Sequence, residues 1–168
     1  RLIKENLYKT APFCKCCLQG KGAVFMQQDN ENLLNTVIRV TDMGKATLDQ
    51  MIPMAERAEF KAELMRQQNG YRSFGQQAHT ALDACDAKAQ GQGMVEKWMA
   101  KAGIAGRTIT DRSTHKLAGM LVEGNQMGVN ECVTGLKDCP RASTGAVELT
   151  RQLQKFEEQN IENLRQFL

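Results

Sequence analysis

The sequence predicts an all-α fold, a four-helix bundle made of two related helical hairpins joined by a long crossover, and three observations carry that prediction. The 168 residues include only 3 prolines and 5% aromatics, and Leu, Met, Ala, Gln, Glu and Lys abound. Such a composition suits helices, whereas sheets draw on β-branched and aromatic side chains. Apolar residues recur at alternating three- and four-residue steps, the period of a helix with one buried stripe. Segments of the first half also return in the second. A hydrophobic content of 42% is enough for one continuous core in a single domain.

The first helix is expected over about 30–52, with Leu33, Val37, Val40, Gly44, Leu48 and Met51 on one stripe. Asp29 or Asn30 supplies its N-cap, because a short side-chain oxygen accepts from the unpaired N–H groups of a helix start. Pro53 ends this helix and opens the next, where its missing N–H matters least. The second helix, about 54–85, has Glu56 and Glu59 near its positive end and a heptad seam of Phe60, Leu64, Gln67, Tyr71, Phe74, Ala78, Ala81 and Cys85. Residues 86–109, broken by Gly91, Gly93, Gly103 and Gly106, read as the crossover, with a short helix at about 94–102 that sets Trp98 on the bundle. The third helix, about 110–138, carries Leu117, Leu121, Gly124, Gly128, Cys132 and Leu136 and is stopped by Pro140. The fourth, about 144–168, carries Leu149, Leu153, Phe156, Asn160 and Leu164.

The repeat relates these helices in pairs. Val37-Ile38-x-x-Thr41-Asp42-Met43-Gly44 returns 84 residues later as Leu121-Val122-x-x-Asn125-Gln126-Met127-Gly128. Glu63-Leu64-x-Arg66-Gln67 with Tyr71 returns at an offset of 85 as Glu148-Leu149-x-Arg151-Gln152 with Phe156. The first helix thus corresponds to the third and the second to the fourth, an approximate twofold in which each hairpin buries its apolar face on the other. Glycine inside a helix costs about 1 kcal/mol relative to alanine. The matched Gly44 and Gly128, with Gly124-x-x-x-Gly128 as a flat strip, therefore predict close approach of the first and third helices.

Charge and motif content narrow the function classes. The net charge of +3 is concentrated in residues 1–25, where Arg1, Lys4, Lys9, Lys15 and Lys21 face Glu5 alone. From Met26 onward 17 basic residues meet 18 acidic ones, with no cluster of the kind a phosphate-binding face requires, so no nucleic-acid partner is expected. Residues 1–25 lack helical periodicity and are expected to be an irregular leader, upstream reading frame rather than protein. Gly20-Lys21-Gly22-Ala23 can be encoded by a purine-rich ribosome-binding sequence shortly before the codon for Met26. A secretion signal lacks its apolar segment here, and Cys14-x-Cys16-Cys17 lacks the second ligand pair of a zinc site. No run of residues is apolar enough to span a bilayer. Cys85, Cys132 and Cys139 read as reduced thiols of a cytoplasmic protein. Walker, nucleophile-elbow and dinucleotide fingerprints do not occur.

Paired hairpins with a long connection between the second and third helices resemble the ferritin-like superfamily, and the resemblance runs over about 30–168. Thr110 to Leu136 and the ending Glu157-Glu158-Gln159-Asn160-Ile161-Glu162-Asn163-Leu164 look like uncharacterised ferritin-like proteins of spore-forming bacteria. A di-iron carboxylate bundle needs an inward Glu on two helices and Glu-x-x-His on the other two. Glu-x-x-His does not occur here. Glu63-x-x-Arg66 and Glu148-x-x-Arg151 stand where it is expected, and each reads as an ordinary helical ion pair worth about 0.2–0.5 kcal/mol.

The leading functional expectation is therefore a non-enzymatic ferritin-like bundle acting through protein association, as a homodimer. The alternative is a metal or redox protein holding iron or manganese in an unusual site, for which Glu63, Glu148, Glu157 and His115 are the candidates. His79 and His115 otherwise read as ordinary side chains, and Gln76 as a solvated amide. The methionines, among them Met43, Met51, Met54, Met65, Met120 and Met127, read as adaptable core filler. Gln67 and Asn160 read as seam amides that fix helix register, with lining of a small polar cavity as the second reading.

Overall fold

The computed structural model describes residues 21–85 and 111–168. The expected leader up to residue 20, the crossover and the helix at 94–102 with Trp98 lie outside the described residues. Among the described residues four long helices and no strand occur: α1 (Lys21–Met51), α2 (Ala58–Asp83), α3 (Thr114–Asp138) and α4 (Thr144–Leu164). Short 3-10 turns follow α1 (Ile52–Met54) and α4 (Arg165–Phe167). None of these helices is long and apolar enough to cross a membrane.

The boundaries depart from expectation where a tertiary partner intervenes. Helix α1 is described from Lys21 onward, so residues 21–25 of the expected irregular leader are helical. Asp29 and Asn30 sit inside it and do not cap it. Asp29 Oδ2 accepts the Arg141 N–H at 2.9 Å, and Asn30 Oδ1 accepts the Ser143 N–H at 2.5 Å. They fasten the α3–α4 turn instead. Pro53 lies in the 3-10 turn, and extended backbone at Ala55 and Arg57 delays α2 until Ala58, with Glu59 in its first turn. Ser113 caps α3 by accepting the Lys116 N–H, and Ser143 caps α4 by accepting the Ala146 N–H, each such cap being worth about 1 kcal/mol.

One apolar core is shared by all four helices. Helix α1 packs against the other three, which explains why Leu33, Leu34, Val37, Ile38 and Val40 are all buried rather than one stripe of them. At the far end the Phe60 and Phe167 rings meet edge to face, 5.1 Å between centroids. A fully buried side chain of this size contributes about 1.5–3 kcal/mol. Across helices, Arg39 Nη2 pairs with Glu131 Oε2 at 2.7 Å between α1 and α3.

The glycines do not pack α1 on α3 as expected. A Cβ on Gly44 would meet the Tyr71 ring of α2 at 2.5 Å, and one on Gly128 the Glu157 carboxyl carbon of α4 at 2.7 Å. Gly124 is exposed and a Cβ there meets nothing within 4 Å, so the Gly124-x-x-x-Gly128 strip is not an interface. The α1–α3 approach comes at Gly135, beside Leu33 and Thr36. The 85-residue match also fails in space. Gln67 is buried but Gln152 exposed, and Tyr71 is buried but Phe156 only half-buried.

Candidate functional site

At mid-height the stripes of α2, α3 and α4 turn polar. Buried there are Gln67 and Tyr71 from α2, Asn125 from α3, and Glu157 and Asn160 from α4. Glu157 is 1% exposed. Among the described residues no group of three His, Cys, Asp or Glu side chains converges on a common point. Burial without a countercharge pushes the Glu157 carboxyl up to about 8, against the hydrogen bond from Tyr71, which pulls it down. Burial also raises Tyr71 well above its ordinary value, and Cys132, one turn along α3 from Gly128, to about 12.

Hydrogen-bond arithmetic agrees with a proton on Glu157. The Tyr71 hydroxyl lies 2.8 Å from Glu157 Oε2 and 3.2 Å from Asn125 Oδ1. Asn125 is oriented by donating its amide N–H to the Leu121 carbonyl at 2.7 Å. The phenol has one proton and two acceptor neighbours. A neutral Glu157 donates to the phenol oxygen, the phenol then donates to Asn125, and every member is satisfied; an ionised Glu157 takes the phenolic proton and orphans Asn125, at about 1–3 kcal/mol.

A second set of bonds comes from the α2–α4 seam. Arg66 grips Glu63 with two hydrogen bonds of 2.8 and 2.7 Å and also donates to Asn160 Oδ1 at 2.6 Å. Gln67 donates to Glu63 Oε1 at 2.9 Å. Burial alone would raise Glu63, but the hydrogen bonds from Arg66 and Gln67 and the Arg66 charge outweigh it and hold the carboxyl below its ordinary value. Both amides are thus clamped from outside; the Asn160 amide is directed at the Tyr71 hydroxyl, while Gln67 keeps one buried acceptor, Oε1, that has no partner.

Above this floor lies a cavity of about 50 Å³ between α1 and α3. Its walls are Val40, Met43, Gly44 and Leu48 on one side and Leu121, Met127 and Gly128 on the other, so the twin Met-Gly segments face each other across it. Exposed Gly124 with half-buried Thr47 and Met127 mark its mouth. A water molecule needs about 10–15 Å³ of such space, so roughly three to five waters or a few-atom organic group fit.

Most of the expected candidates do not meet here. Glu157 is the floor. Glu63 sits at the seam, tied to Arg66. Glu148, which accepts from Gln152, is exposed, as are His115, His79 and Gln76. Arg151 makes no ion pair with Glu148 among the described residues, whereas Arg66 pairs with Glu63 three residues away on α2, as expected, and also reaches Asn160 of α4. Gln67 lines the cavity. Met43 and Met127 are cavity wall, and Met65 is exposed rather than core.

Sequence reasoning missed Glu157 as a core residue, together with Asn125. The signal was present: the steps Leu153, Glu157, Asn160, Leu164 keep the four-three-four period, whereas placing Phe156 on the seam follows hydrophobicity alone. Comparison of the chain with protein-family models, with curated proteins and with solved structures gives no match. The site's chemistry therefore rests on its own geometry.

Because Gly124 has open space where a Cβ would stand, Gly124→Ala is expected to stabilise the protein by about 0.5–1 kcal/mol through helix propensity alone. The urea midpoint measures it, and a loss of stability would mean that this backbone is packed.

Proposed function

We propose that the chain is a non-enzymatic, ferritin-like four-helix bundle that works by binding a small molecule in the α1–α3 cleft. The observation that carries this reading is the juxtaposition of an apolar-walled cavity with a buried floor that leaves one acceptor without a partner. Convergent polar groups under an apolar cleft are the usual form of a small-molecule site. Glu157 is committed to a closed chain with Tyr71 and Asn125, which favours a positioning role over proton transfer.

The hairpin repeat is supported by burial and contact in a corrected register. Leu33, Val37, Thr41 and Leu48 share burial with Leu117, Leu121, Asn125 and Cys132 at an offset of 84. Phe60, Leu64, Gln67, Tyr71, Ala78 and Ala81 share it with Ala146, Thr150, Leu153, Glu157, Leu164 and Phe167 at 86. In that register Gly44 on Tyr71 and Gly128 on Glu157 are the same contact made twice.

Two measurements test the reading. Protein-observed NMR with uncharged fragments of about six heavy atoms is expected to move the Gly44 and Gly128 amide signals, and Gly124→Phe, which places a ring at the mouth, to abolish the shifts; unchanged shifts in that variant would locate binding elsewhere. Elemental analysis of protein purified without chelator is expected to find iron and manganese well below one per chain. A stoichiometric metal would replace binding with the metal-protein alternative.

A further inference from the structure

Gln67 leaves one buried acceptor, Oε1, without a partner. It cannot be relieved by turning the amide, because the bond from Nε2 to Glu63 fixes it. Gln67 is wholly buried and lines the cavity, whereas the Asn160 amide, held by Arg66, is directed at the Tyr71 hydroxyl. Charge is absent from the walls. Facing Glu157 are Tyr71 from α2, with the mutually neutralised Glu63–Arg66 pair beyond it, and Cys132 from α3; the α1 residues lining the cavity are Val40, Met43, Gly44, Thr47 and Leu48, none of which titrates.

Resting on the binding reading above, we infer that the cleft selects a small uncharged molecule whose polar end donates a hydrogen bond, an alcohol or primary amide head on a short aliphatic body. The head gives its hydrogen to Gln67 Oε1. The body lies between Val40, Leu48 and Leu121. A single water would meet Gln67 Oε1 but leave most of about 50 Å³ of cavity unfilled. An ion entering this space sheds hydration and finds no countercharge.

The test is a titration of the full chain at pH 6 with n-butanol, n-butylammonium and butyrate, followed through the amide signals of Gly44, Gly124 and Gly128. Butanol is expected to give saturable shifts at an affinity about tenfold or more above either ion. Gln67→Met, close in shape but without the acceptor, is expected to keep a cooperative melt and to weaken butanol about tenfold. Butylammonium or butyrate binding as well as butanol would overturn the ligand class while leaving the cleft a binding site. Full butanol affinity in Gln67→Met would overturn the head-group assignment. No shift at any of the three glycines with any probe would overturn both the class and the binding reading.

Discussion

Glu157→Gln is expected to abolish a fall in stability that the native protein undergoes between about pH 4.5 and about pH 8. The folded carboxyl is raised to about 8 from an ordinary 4.5. Below that window both folded and unfolded chains hold the proton. Within it only the folded chain does, so each rise of one pH unit favours unfolding by about 1.4 kcal/mol. Across the window this amounts to roughly 5 kcal/mol, lost as pH climbs through the folded value. Glutamine stays neutral, and its N–H can still donate to the Tyr71 oxygen while Tyr71 donates to Asn125. The variant should therefore match the wild type near pH 5 and exceed it by several kcal/mol at pH 9. Glu63 acts in the opposite sense, since its lowered carboxyl loses the Arg66 and Gln67 bonds as pH falls below the ordinary carboxylate range. Native stability should thus peak in mild acid. Urea unfolding of both proteins at pH 5, 7 and 9 checks this, and parallel pH profiles would show that Glu157 is ionised in the fold.

Gly44→Ala and Gly128→Ala are each expected to destabilise by about 1–3 kcal/mol, although alanine is the better helix former. The added methyl has no room: the Tyr71 ring stands 2.5 Å from one site and the Glu157 carboxyl carbon 2.7 Å from the other. Relief would require moving Tyr71 or Glu157, the two residues whose hydrogen bond holds the floor together. Leucine at either position should exceed about 3 kcal/mol and prevent a cooperative fold. Gly124→Ala is the control, one turn from Gly128 on α3. Stabilisation by all three alanines would remove the close contacts from consideration.

Much of the fold was legible because it is local. The α2 seam from Phe60 to Ala81 follows one period and is buried as expected except at half-buried Phe74. Asp138 ends α3 shortly before Pro140, and α4 begins at Thr144. What was not legible depends on a partner. Asp29 and Asn30 have the chemistry of caps, but the N–H groups they serve belong to Arg141 and Ser143, more than a hundred residues away. Gly44, Gly124 and Gly128 are identical letters, yet two face a side chain and one faces space. The Glu-Leu-x-Arg-Gln letters match at an offset of 85, but burial at that offset does not: one residue turns a helix by about 100°, enough to set Gln152 on the surface and Glu157 in the core. The floor itself was split by residue type. Gln67 and Asn160 were legible as seam amides, but a glutamate at the centre of a stripe reads as surface until its neighbours leave it no water.

The proton on Glu157 can be observed directly, through the side-chain carboxyl ¹³C shift of the folded protein as a function of pH. Burial among Tyr71, Asn125 and Gly128 predicts that this signal stays almost unchanged from pH 5 to pH 6 and titrates with a midpoint at about 8. A midpoint at about 4.5, the ordinary glutamate value, would mean that the carboxyl reaches solvent or a cation, and the neutral polar floor would not exist.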